Sequence, residues 1–401
     1  MLSNRQLFLL HIGQTSSTPL MLEIEKAEGI FMYGPGGKKY LDLISGVSVS
    51  NTGHRHPKVV AAIKDQVDAY LHLMVYGELI QSPQVKYAER LCNLLPDSLD
   101  NVYFVNSGSE AVEGALKLAK KYTGRSRIIY FRNSYHGSTQ GALSIQGSGI
   151  YRNAFRPLLP DTWQIDFNDE SSLESIDRKT ACIIVEPVQS EAGVILPDKG
   201  FLDKIRKRCT ATGALLILDE VQTGFGRTGY MFAMERYGVV PDILVLAKAL
   251  GGGMPLGAFI SSKRIMSSLI SNPQLGHITT FGGHPVCCAA GLASLNVIIE
   301  EGLVDSCRKK SALFKKELDH PLITEIRGEG LLLAVALKDP RYVRYAIVHA
   351  PDHGLILDYF LFCGDAFRVA PPLTITGSEI RIACSQLKTL LDDTLKNAKK
   401  K

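Results

Sequence analysis

Short apolar runs alternate with stretches of helical periodicity through the middle of the chain. From about residue 85, continuous apolar runs predict buried strands, and segments with an apolar residue every three to four positions predict helices. The predicted strands are 101–106, 127–131, 181–188, 214–221 and 243–246, and the predicted helices are 85–95, 109–122 and 200–212. Continuous apolar strands between helices are typical of a mostly parallel sheet covered on both faces. We therefore expect an α/β fold.

The pattern differs on either side of this region. The first 40 residues are rich in loops, and Pro57 begins a helix with apolar spacing. After residue 285 a long helix at 287–299 leads to hairpin-like runs at 326–337 and 367–370. These changes indicate a second, smaller α+β domain. The expected units are an N-terminal segment that packs with the small domain, a large domain, and the small domain itself, at residues 1–45, 46–288 and 289–401.

The composition is that of an ordinary globular protein. Of 401 residues, 45% are hydrophobic and 21% are charged, and the length allows about two domains. The net charge of +5 is spread along the chain, and the lysines at 399–401 are expected to form a solvated tail. No basic stripe is interleaved with aromatic residues, which argues against a nucleic-acid partner. No apolar run reaches the roughly 18 residues of a membrane span, and the N-terminus lacks the features of a signal peptide.

The cysteines and histidines do not have the spacing of a metal site or a disulfide framework. No C-x-x-C pair occurs, and several cysteines lie in apolar runs, so we expect buried, reduced thiols in a cytoplasmic protein. His54 and His56 could be a metal pair, but no third ligand lies at a usable spacing, which favours a structural role. The cysteines are Cys92, Cys182, Cys209, Cys287, Cys288, Cys307, Cys363 and Cys384.

One junction between a strand and a helix could bind an anion. The strand at 101–106 runs into Ser107-Gly108-Ser109, and a helix follows. Ser107 and Glu110 have the spacing of a capping box, so the segment could be simply a well-capped helix. The same geometry exposes amides at the positive end of the helix dipole, and Gly108 would let a phosphate approach the backbone. Both interpretations are open from the residues alone.

Several further groups lie where buried strands end. Lys248 follows the apolar run at 243–246, where it could reach solvent or, with a lowered pKa, act as an amine nucleophile. Glu186 and Asp219 each close a buried strand, where a carboxylate needs an arginine or a protonated heterocyclic nitrogen as its partner. In open α/β sheets, ligands bind beyond the carboxyl ends of the strands. Tyr135, in the loop after another strand, could stack on a planar ring or simply pack.

The loop at 224–229 fits the dinucleotide pattern G-x-G-x-x-G and follows a strand. That strand ends in Asp219-Glu220, two acids that would repel a pyrophosphate, and no amphipathic helix begins at the last glycine. The match is therefore attributed to a glycine-rich loop. A nicotinamide oxidoreductase remains the alternative from another class of enzyme.

A phosphate-type turn, an aromatic loop, an acid that closes a strand and a lysine one strand later are together the parts of a pyridoxal phosphate site. Because these features occur in this order along the sequence, the chain resembles the class III (ω-type) aminotransferases, a family of the fold type I pyridoxal phosphate enzymes. Ornithine, acetylornithine and 4-aminobutyrate aminotransferases are members of this family. The motifs are NSGSEA, YHG, EPVQ, LDEVQTGFGRTG, DILVLAKALGGGMPLGA and TTFGGHP. The resemblance implies a large domain with a mostly parallel seven-stranded sheet and a smaller α+β domain.

The resemblance also implies a role for each residue of the candidate site. Lys248 would form a Schiff base with pyridoxal 5′-phosphate and move a proton between the substrate and the cofactor, and Asp219 would keep the pyridine nitrogen protonated. Thr280 would reach the phosphate of the partner subunit, which implies a homodimer with shared active sites. The other implied cofactor-binding residues are Ser107, Gly108, Ser109, Tyr135, His136, Glu186 and Gln222, with Gly108 and Ser109 at the phosphate and Tyr135 stacked on the ring.

Two positions are implied to bind the substrate. Arg368 matches the family arginine for the α-carboxylate, and Glu191 matches the glutamate that masks this arginine in some members. Ornithine and acetylornithine members usually have an arginine directly after the H-G pair, where this chain has Ser138. Losing such a charge-assisted contact costs about 1.5–3 kcal/mol, which disfavours these substrates without excluding them. Arg152 or Arg156 could substitute for the missing arginine.

The resemblance therefore predicts a pyridoxal phosphate-dependent aminotransferase that moves an amino group from an ω-amino compound to an α-keto acid, 2-oxoglutarate or pyruvate, by a ping-pong mechanism. Acetylornithine or ornithine aminotransferase is the first alternative. A racemase or aminomutase of the same fold would use the same cofactor without net transfer. The expected setting is amino-acid metabolism in the cytoplasm, with small-molecule substrates and no metal, nucleic acid or membrane.

Overall fold

A seven-stranded sheet forms the centre of the fold in the computed structural model, which describes residues 2–75 and 77–397. The strands are β1 (Lys26–Glu28), β2 (Phe31–Tyr33), β3 (Lys39–Asp42), β4 (Asn101–Val105), β5 (Arg127–Phe131), β6 (Thr162–Ile165), β7 (Thr180–Val185), β8 (Leu215–Asp219), β9 (Ile243–Leu246), β10 (Gly257–Ser261), β11 (Ile323–Glu329), β12 (Leu332–Leu337), β13 (Leu355–Ile356) and β14 (Ala366–Val369). The helices are α1 (Asn4–His11), α2 (Ser45–Ser48), α3 (Pro57–Ala69), α4 (Ser82–Cys92), α5 (Gly108–Thr123), α6 (Gln140–Ser144), α7 (Gly149–Arg152), α8 (Phe201–Thr212), α9 (Ala233–Tyr237), α10 (Lys263–Met266), α11 (Pro285–Glu300), α12 (Leu303–Glu317), α13 (Pro340–His349) and α14 (Gly377–Asn397).

The central sheet has the strand order β4-β10-β9-β8-β7-β5-β6. β10 is antiparallel to both of its neighbours, whereas the pairs from β9 to β6 are all parallel. The other six strands therefore end at the same edge of the sheet, which is where ligands bind in open α/β sheets. This arrangement confirms the predicted fold class, a mostly parallel seven-stranded sheet.

Helices cover both faces of this sheet. Along β8, Leu216 and Leu218 join one hydrophobic core while Leu215 and Ile217 join another, because successive side chains of a strand lie on opposite faces. α8 packs in the first core and α5 in the second. Every residue of β7, β8 and β9 is buried, which explains why their sequences are continuously apolar.

Two smaller sheets involve both ends of the chain. β1, β2 and β3 form an antiparallel ribbon, and β13 adds to β3 in parallel with Leu41 opposite Leu355. β11, β12 and β14 form an antiparallel sheet of their own. The pairing of β3 with β13 joins the N-terminal segment to the C-terminal part of the chain. The division into units at 1–45, 46–288 and 289–401 stays a prediction.

Some predicted element bounds are wrong by a few residues. The helix predicted at 85–95 is Ser82–Cys92, and it begins earlier because Pro83 suits the first turn of a helix. The strand predicted at 181–188 is β7, which ends before Pro187, since proline has no amide hydrogen to pair. The strand predicted at 214–221 is the shorter β8.

Buried elements were easier to predict from the sequence than exposed ones. The predicted strands at 127–131 and 243–246 match β5 and β9 in full. The first 40 residues, which the sequence predicts to be rich in loops, also contain α1, β1 and β2. None of the residues in α1, β1 or β2 is fully buried, so these elements have no continuous apolar run that would predict them.

α2 is a single turn with a left-handed backbone. All four of its residues, Ser45–Ser48, have φ values between 46° and 65°. This region costs about 1–3 kcal/mol for a residue with a side chain, and Val47 is branched at Cβ. The carboxylate of Asp42 accepts hydrogen bonds from the amides of Ile44 and Ser45, each at 2.8 Å. Such contacts stabilise a turn that the local sequence alone would not favour.

The cysteines are free thiols, and six of the eight are buried. Burial raises the pKa of Cys209, for example, to about 12, so this thiol stays protonated. Among the described residues no single helix is long and apolar enough to cross a membrane. α11 and α12 together have the length and composition of a span, but the two helices are bent by 66° relative to each other. The lysines at 399–401 lie outside the described residues.

Candidate active site

A cavity of about 430 Å³ opens at the carboxyl ends of the central strands. The segments that follow β4, β5, β7, β8 and β9 all contribute to its wall. The site residues predicted from the sequence that line it are Ser107, Gly108, Ser109, Tyr135, His136, Glu186, Asp219, Gln222 and Lys248. The predicted residues Glu191, Thr280 and Arg368 are not part of this lining.

The N-terminus of α5 lies at this cavity. Oγ of Ser107 caps the helix by accepting a hydrogen bond from the amide of Glu110 at 3.2 Å. The Glu110 carboxylate accepts from the amide of Asn106 at 2.9 Å, one residue before the position expected in a capping box. The first amides of a helix lack acceptors within the helix and carry partial positive charge, which favours a phosphate here. A Cβ at Gly108 would lie 3.1 Å from a methyl group of Val221, so a residue with a side chain would be crowded at this position.

The loop after β5 packs directly on this helix end. Gly137 has a φ of +126°, and a Cβ there would lie 2.1 Å from Oγ of Ser109. The amide of Ser138 donates to the same oxygen at 3.3 Å. Tyr135 lines the cavity, and its amide donates to Oε2 of Glu186 at 3.1 Å. The close approach at Gly137 brings the tyrosine and the helix N-terminus into one cavity.

Asp219, the last residue of β8, is held by two groups. Its Oδ2 is 2.7 Å from Nδ1 of His136, and its Oδ1 accepts a hydrogen bond from the amide of Val221 at 3.0 Å. The other ring nitrogen of His136, Nε2, is buried and has no hydrogen-bond partner in the described parts of the chain. His136 therefore orients the Asp219 carboxylate, a contact that the sequence motif alone did not predict.

Glu186 is buried just beyond β7. Besides the amide of Tyr135, it accepts a hydrogen bond from the amide of Ser190, at 3.3 Å. Burial, followed by the nearby charge of Asp219, raises the pKa of Glu186 well above its usual range. The hydrogen bonds from the amides of Tyr135 and Ser190 oppose this rise in the pKa, because they stabilise the carboxylate.

Lys248 follows β9 and begins a short 3₁₀ turn, Lys248–Gly251. Its φ of +51° is uncommon for a residue with a side chain. Burial lowers the pKa of Lys248, and the charge of Glu191 opposes this effect while that of Arg368 adds to it. A lowered pKa increases the fraction of neutral amine, which is the form that attacks a carbonyl carbon or accepts a proton.

The glycines after Lys248 have different roles. Gly252 has a φ of +60°, and a Cβ there would lie 2.7 Å from the carbonyl oxygen of Ala290 in α11. This glycine therefore lets α11 pack closely behind the lysine. Gly253, with a φ of +100°, lines the cavity itself.

The lining fits pyridoxal phosphate, the cofactor that the resemblance implies. Nε2 of Gln222 and Nε2 of His136 are both buried without a hydrogen-bond partner among the residues that the structure describes. Buried polar atoms of this kind are costly unless a ligand meets them. The α5 N-terminus suits a phosphate, Asp219 a protonated ring nitrogen and Tyr135 a ring face. The role of each residue towards the cofactor stays a prediction.

Arg368 and Glu191 form a buried ion pair. Nη2 of Arg368 lies 2.6 Å from Oε1 of Glu191, and the side chains are 1% and 9% exposed. Oε2 of Glu191 accepts a hydrogen bond from the amide of Leu361 at 3.2 Å. Arg368 also lies 3.5 Å from Asp358 and 4.7 Å from the centre of the Phe360 ring. The structure thus joins the two residues that the resemblance pairs and adds Asp358, which no motif marks.

The two arginines considered as substitutes near Ser138 do not line the cavity. The guanidinium of Arg152 donates to Oε1 of Gln164 at 3.2 Å. Arg156 is exposed, and its partner is a neighbouring side chain of the same loop. Neither guanidinium group therefore contributes to the cavity wall, and the hypothesis that one of them replaces the missing arginine stays a prediction.

Thr280 is exposed and does not line the cavity of its own chain. The resemblance assigns it to the phosphate of the partner subunit, and this assignment stays a prediction. Its neighbour Thr279 accepts a hydrogen bond from Nδ2 of Asn106 at 3.2 Å, which holds this segment next to the N-terminus of α5.

Sequence reasoning missed several residues of the cavity wall, among them Val49, Asn106, Ser190 and Met254. Asn106 could have been found, because it directly precedes the predicted phosphate turn and directly follows β4. Val49 follows the left-handed turn α2, far from every motif in the chain. Only the tertiary packing of α2 brings it to the site.

The loop at 224–229 is packed into the interior of the protein. Arg227 is fully buried, and a Cβ at Gly226 would lie 2.9 Å from a methyl group of Leu373. A glycine-rich loop that binds pyrophosphate presents its backbone to the ligand, whereas this loop contacts other parts of the chain. The packing therefore favours the rejection of a dinucleotide site.

The two histidines considered as metal ligands make contacts within the protein. His54 lies 2.8 Å from Asp42, and His56 lies 3.2 Å from Glu301. Within residues 2–75 and 77–397 no group of three or more potential metal ligands occurs. These contacts favour a structural role for the pair, which stays a prediction.

The family model for Aminotransferase class-III matches residues 12–391. The acetylornithine aminotransferase of Methanopyrus kandleri is 39% identical over 386 residues, which cover 95% of this chain and 96% of that protein. The ornithine aminotransferase of Toxoplasma gondii superimposes with a TM-score of 0.90 at 30% identity, covering 98% of this chain and 96% of that one. An amine transaminase from an uncultivated Pseudomonas species, solved in its PLP-bound form, gives a TM-score of 0.87 at 29% identity, covering 96% and 98% of the two chains.

Proposed function

Since this chain belongs to the class III aminotransferases, which depend on pyridoxal phosphate, we propose that it transfers an amino group from an ω-amine to an α-keto acid, 2-oxoglutarate or pyruvate. The observation that carries the proposal is the arrangement of Lys248, Asp219 and the N-terminus of α5 around one cavity. Because the same groups serve the donor and the acceptor, the two substrates bind in turn, as a ping-pong mechanism requires.

Each residue of the cavity has a different role in the proposed reaction. When bound, pyridoxal phosphate supplies an electron sink for the negative charge that develops at the substrate carbon. The neutral amine of Lys248 would take the proton from that carbon and pass it to the cofactor, and it would run the same transfer in reverse for the keto acid. Asp219, held by Nδ1 of His136 and the amide of Val221, provides a fixed negative charge for the ring nitrogen. The N-terminus of α5 holds the phosphate, so that the reacting atoms meet Lys248 in a constant position.

Arg368 is the proposed binding group for the α-carboxylate of the keto acid. In this structure the carboxylate of Glu191 contacts Nη2 of Arg368. The Nε atom of Arg368 is buried and has no hydrogen-bond partner in the described ranges. A carboxylate can accept two parallel hydrogen bonds from a guanidinium group. We propose that Glu191 covers Arg368 while the amine is bound and leaves it when the keto acid enters. One pocket can then serve two substrates of different charge.

Replacing Arg368 by alanine is expected to impair only one half of the catalytic cycle. With the donor alone, Arg368→Ala and the wild type should each release about one equivalent of carbonyl product per subunit, because the donor needs no guanidinium. The KM for the keto acid should rise about tenfold to hundredfold, since a charge-assisted contact worth about 1.5–3 kcal/mol is lost. Single-turnover absorbance measurements follow each half-reaction separately.

A matched control removes the other partner of the ion pair. Glu191→Gln keeps the size of the side chain but removes the negative charge that pairs with Arg368, so it should preserve keto-acid binding while it weakens the donor half-reaction. Equal slowing of both half-reactions in Arg368→Ala would contradict the proposed exchange. Conversion of a chiral amino compound to its mirror image, with no carbonyl product released, would instead indicate a racemase.

The donor is proposed to have no carboxylate near Ser138. Lys248 is the one lysine or arginine among the described residues that line the cavity. Ornithine and acetylornithine, which give their names to the similar proteins of T. gondii and M. kandleri, each carry an α-carboxylate. That carboxylate would have no positive partner at Ser138. A simple ω-amine is therefore the proposed donor, and acetylornithine or ornithine is the alternative that the relatives support.

The substitution Ser138→Arg is expected to add activity towards carboxylated donors. The kcat/KM for ornithine or acetylornithine should rise about tenfold to hundredfold through the new charge-assisted contact, whereas that for an unbranched diamine should fall or stay the same. Ser138 is exposed, so the change should not affect folding. A donor screen compares the wild type with Ser138→Arg and with Ser138→Met, which adds length without charge. A wild type that prefers acetylornithine, with no gain in Ser138→Arg, would reject the proposed donor.

A second copy of the chain is the proposed partner for an exposed apolar surface. His72 lies 4.8 Å from the ring of Phe281, so the segment between α3 and α4 contacts the segment before α11. Both segments expose large apolar side chains: Leu71, Leu73, Met74, Leu79, Ile80, Ile278 and Phe281. A cluster of exposed large apolar side chains is typical of a protein interface. Thr280 lies in the same surface, which supports a homodimer with shared active sites.

Ile80→Asp is expected to separate the two subunits. Ile80 is 96% exposed, so a charge there should leave the monomer folded but be costly inside an interface. Light scattering should show a dimer for the wild type and a monomer for the variant, and activity should fall in parallel. Ile150→Asp is the control, since Ile150 is 88% exposed but lies outside this surface. Full activity in a monomeric variant would rule out shared active sites.

We also propose a cytoplasmic location, in amino-acid metabolism. The free cysteines support a reducing compartment. The proposed division into an N-terminal segment, a large domain and a small domain agrees with the pairing of β3 with β13, which links the first of these units to the last.

A further inference from the structure

Arg227 is buried where three other segments of the chain meet. Its side chain has no exposed surface. Its Nη1 donates to the carbonyl oxygens of Leu331 at 3.0 Å and Pro371 at 2.6 Å, and its Nη2 donates to Oγ of Ser45 at 3.0 Å and to Oδ1 of Asn51. The four acceptors thus belong to α2 and its continuation, to the turn before β12, and to the residues after β14.

All four acceptors of Arg227 are neutral groups. Burial lowers the pKa of Arg227 to about 10, so the guanidinium is still charged at neutral pH. The charge of Asp42 offsets part of the cost of burying this cation, but all of its hydrogen-bond partners are neutral, and an apolar side chain of similar size often serves stability better. The arrangement therefore suggests a task that needs four directed hydrogen bonds.

One side of Arg227 leads to the strand that carries Arg368. Leu331 exchanges two hydrogen bonds with Arg227, since its amide donates to the Arg227 carbonyl at 2.9 Å and its own carbonyl accepts from Nη1. Leu331 directly precedes β12, which pairs with β14 so that Ala334 lies opposite Arg368. The loop that contains Arg227 and the strand of Arg368 are therefore linked through one intervening strand.

The other side of Arg227 holds the end of the same strand. Pro371, whose carbonyl accepts from Nη1, follows β14 by two residues. Ser45 donates its hydroxyl to the carbonyl of Ala370 at 2.8 Å, and the amide of Ala370 donates to the carbonyl of Leu43 at 2.6 Å. Arg227 thus fixes the segment after β14 against the segment that leads into α2.

We infer that Arg227 is a positioning residue for the keto-acid carboxylate, because it holds β14 so that Arg368 stays in place when Glu191 leaves it. This inference rests on the proposed exchange between Glu191 and the keto acid. A bidentate contact tolerates little displacement of the guanidinium, so a loosened strand would weaken carboxylate binding. The donor half-reaction relies on Lys248 and Asp219 and does not need this support.

Arg227→Met tests the inference, because it keeps apolar bulk and removes all four hydrogen bonds. We expect the KM for 2-oxoglutarate, and the Kd of glutarate measured by calorimetry, to rise about tenfold to hundredfold. Glutarate has the two carboxylates but no keto group, so it reports binding without turnover. The rate of the donor half-reaction should stay close to that of the wild type.

A second variant and a matched control separate positioning from general stability. Ser45→Ala removes one acceptor on α2 while the guanidinium stays, and it should shift the same two constants in the same direction by a smaller factor. Ser45→Ala therefore tests whether Arg227 positions Arg368 even if Arg227→Met does not fold. Arg125→Met is the control, since Arg125 donates to the carbonyls of Thr180 and Thr212 at 3.0 and 3.1 Å, at the opposite edge of the central sheet. It should lower the Tm without separating the half-reactions.

Two results would overturn the inference: equal changes in both half-reactions, or glutarate binding that is unchanged in a folded Arg227→Met or in Ser45→Ala. A wild-type protein that fails to convert any amine donor would contradict the proposed function instead. Glutarate binding needs no turnover, so the two failures are distinguishable.

Discussion

Lys248→Ala is expected to lose nearly all transamination activity while the protein stays folded. In the proposed mechanism this amine moves the proton in both half-reactions, and a positioned acid–base group contributes about 10²–10⁴-fold to a rate. Burial lowers the pKa of Lys248, which keeps part of it in the neutral form that accepts a proton. Single-turnover rates with the donor and with the keto acid should both fall by at least this factor.

Lys310→Met is the matched control for this prediction. Lys310 is also half-buried with a pKa lowered by burial, but its ammonium donates to the carbonyl of Leu373 and does not line the cavity. Its replacement should affect stability and leave turnover unchanged. A small primary amine added to Lys248→Ala should restore part of the rate, because it can occupy the space of the missing side chain. Wild-type turnover in Lys248→Ala would remove this residue from the mechanism.

Asp219→Asn is expected to reduce kcat about 10²–10³-fold, since a preorganised electrostatic contact in an active site is worth roughly this much. The substitution removes the negative charge beside the ring nitrogen but keeps the size of the side chain. Both half-reactions should slow equally, because both use the same electron sink. Rates measured together with the absorbance spectrum of the bound cofactor separate an effect on chemistry from one on binding.

The neighbouring acid provides a control for Asp219. Glu220 is also fully buried, but its carboxylate accepts hydrogen bonds from the amides of Ala233 and Met234 at 2.6 and 2.7 Å and from the hydroxyl of Thr223 at 3.0 Å. Burial raises the pKa of Glu220 to about 7. Glu220→Gln should lower the free energy of unfolding by about 1–3 kcal/mol, since one acceptor is lost, with little change in kcat. Matching kinetic defects in the two variants would argue against the role given to Asp219.

The central sheet could be predicted because burial dominates its sequence. β7, β8 and β9 are covered on both faces, so nearly every position is apolar and the runs stand out from the helices between them. β13 could not be predicted in the same way. It has two residues, and it exists because β3, from the other end of the chain, lies beside it.

Most of the cavity could also be predicted, since its residues follow directly after strands that end at one edge of a sheet. The order of the motifs is then sufficient to bring Gly108, Tyr135, Asp219 and Lys248 together. The pairing of Arg368 with Glu191 needed the resemblance, because the two residues belong to different parts of the chain.

The remaining contacts depend on packing between distant segments, which no local spacing encodes. The carboxylate of Asp358 approaches Arg368 because the chain before β14 folds back on that strand. Arg227, taken from the sequence as part of a glycine-rich loop, proves to link segments near both ends of the chain. Arg152 was a plausible substrate ligand by charge alone, and the structure places its guanidinium on Gln164 instead.

The pairing of distant strands limits the order in which this protein can be built. Asn101 in β4 pairs with Ser261 in β10, and Leu41 in β3 pairs with Leu355 in β13. Each pairing closes a long loop before it gains any stabilisation, so folding that depends on it is slow. During synthesis on the ribosome, β3 cannot pair with β13 until most of the chain has emerged. The edges of β3 and β4 are therefore where a nascent chain would first need protection from aggregation.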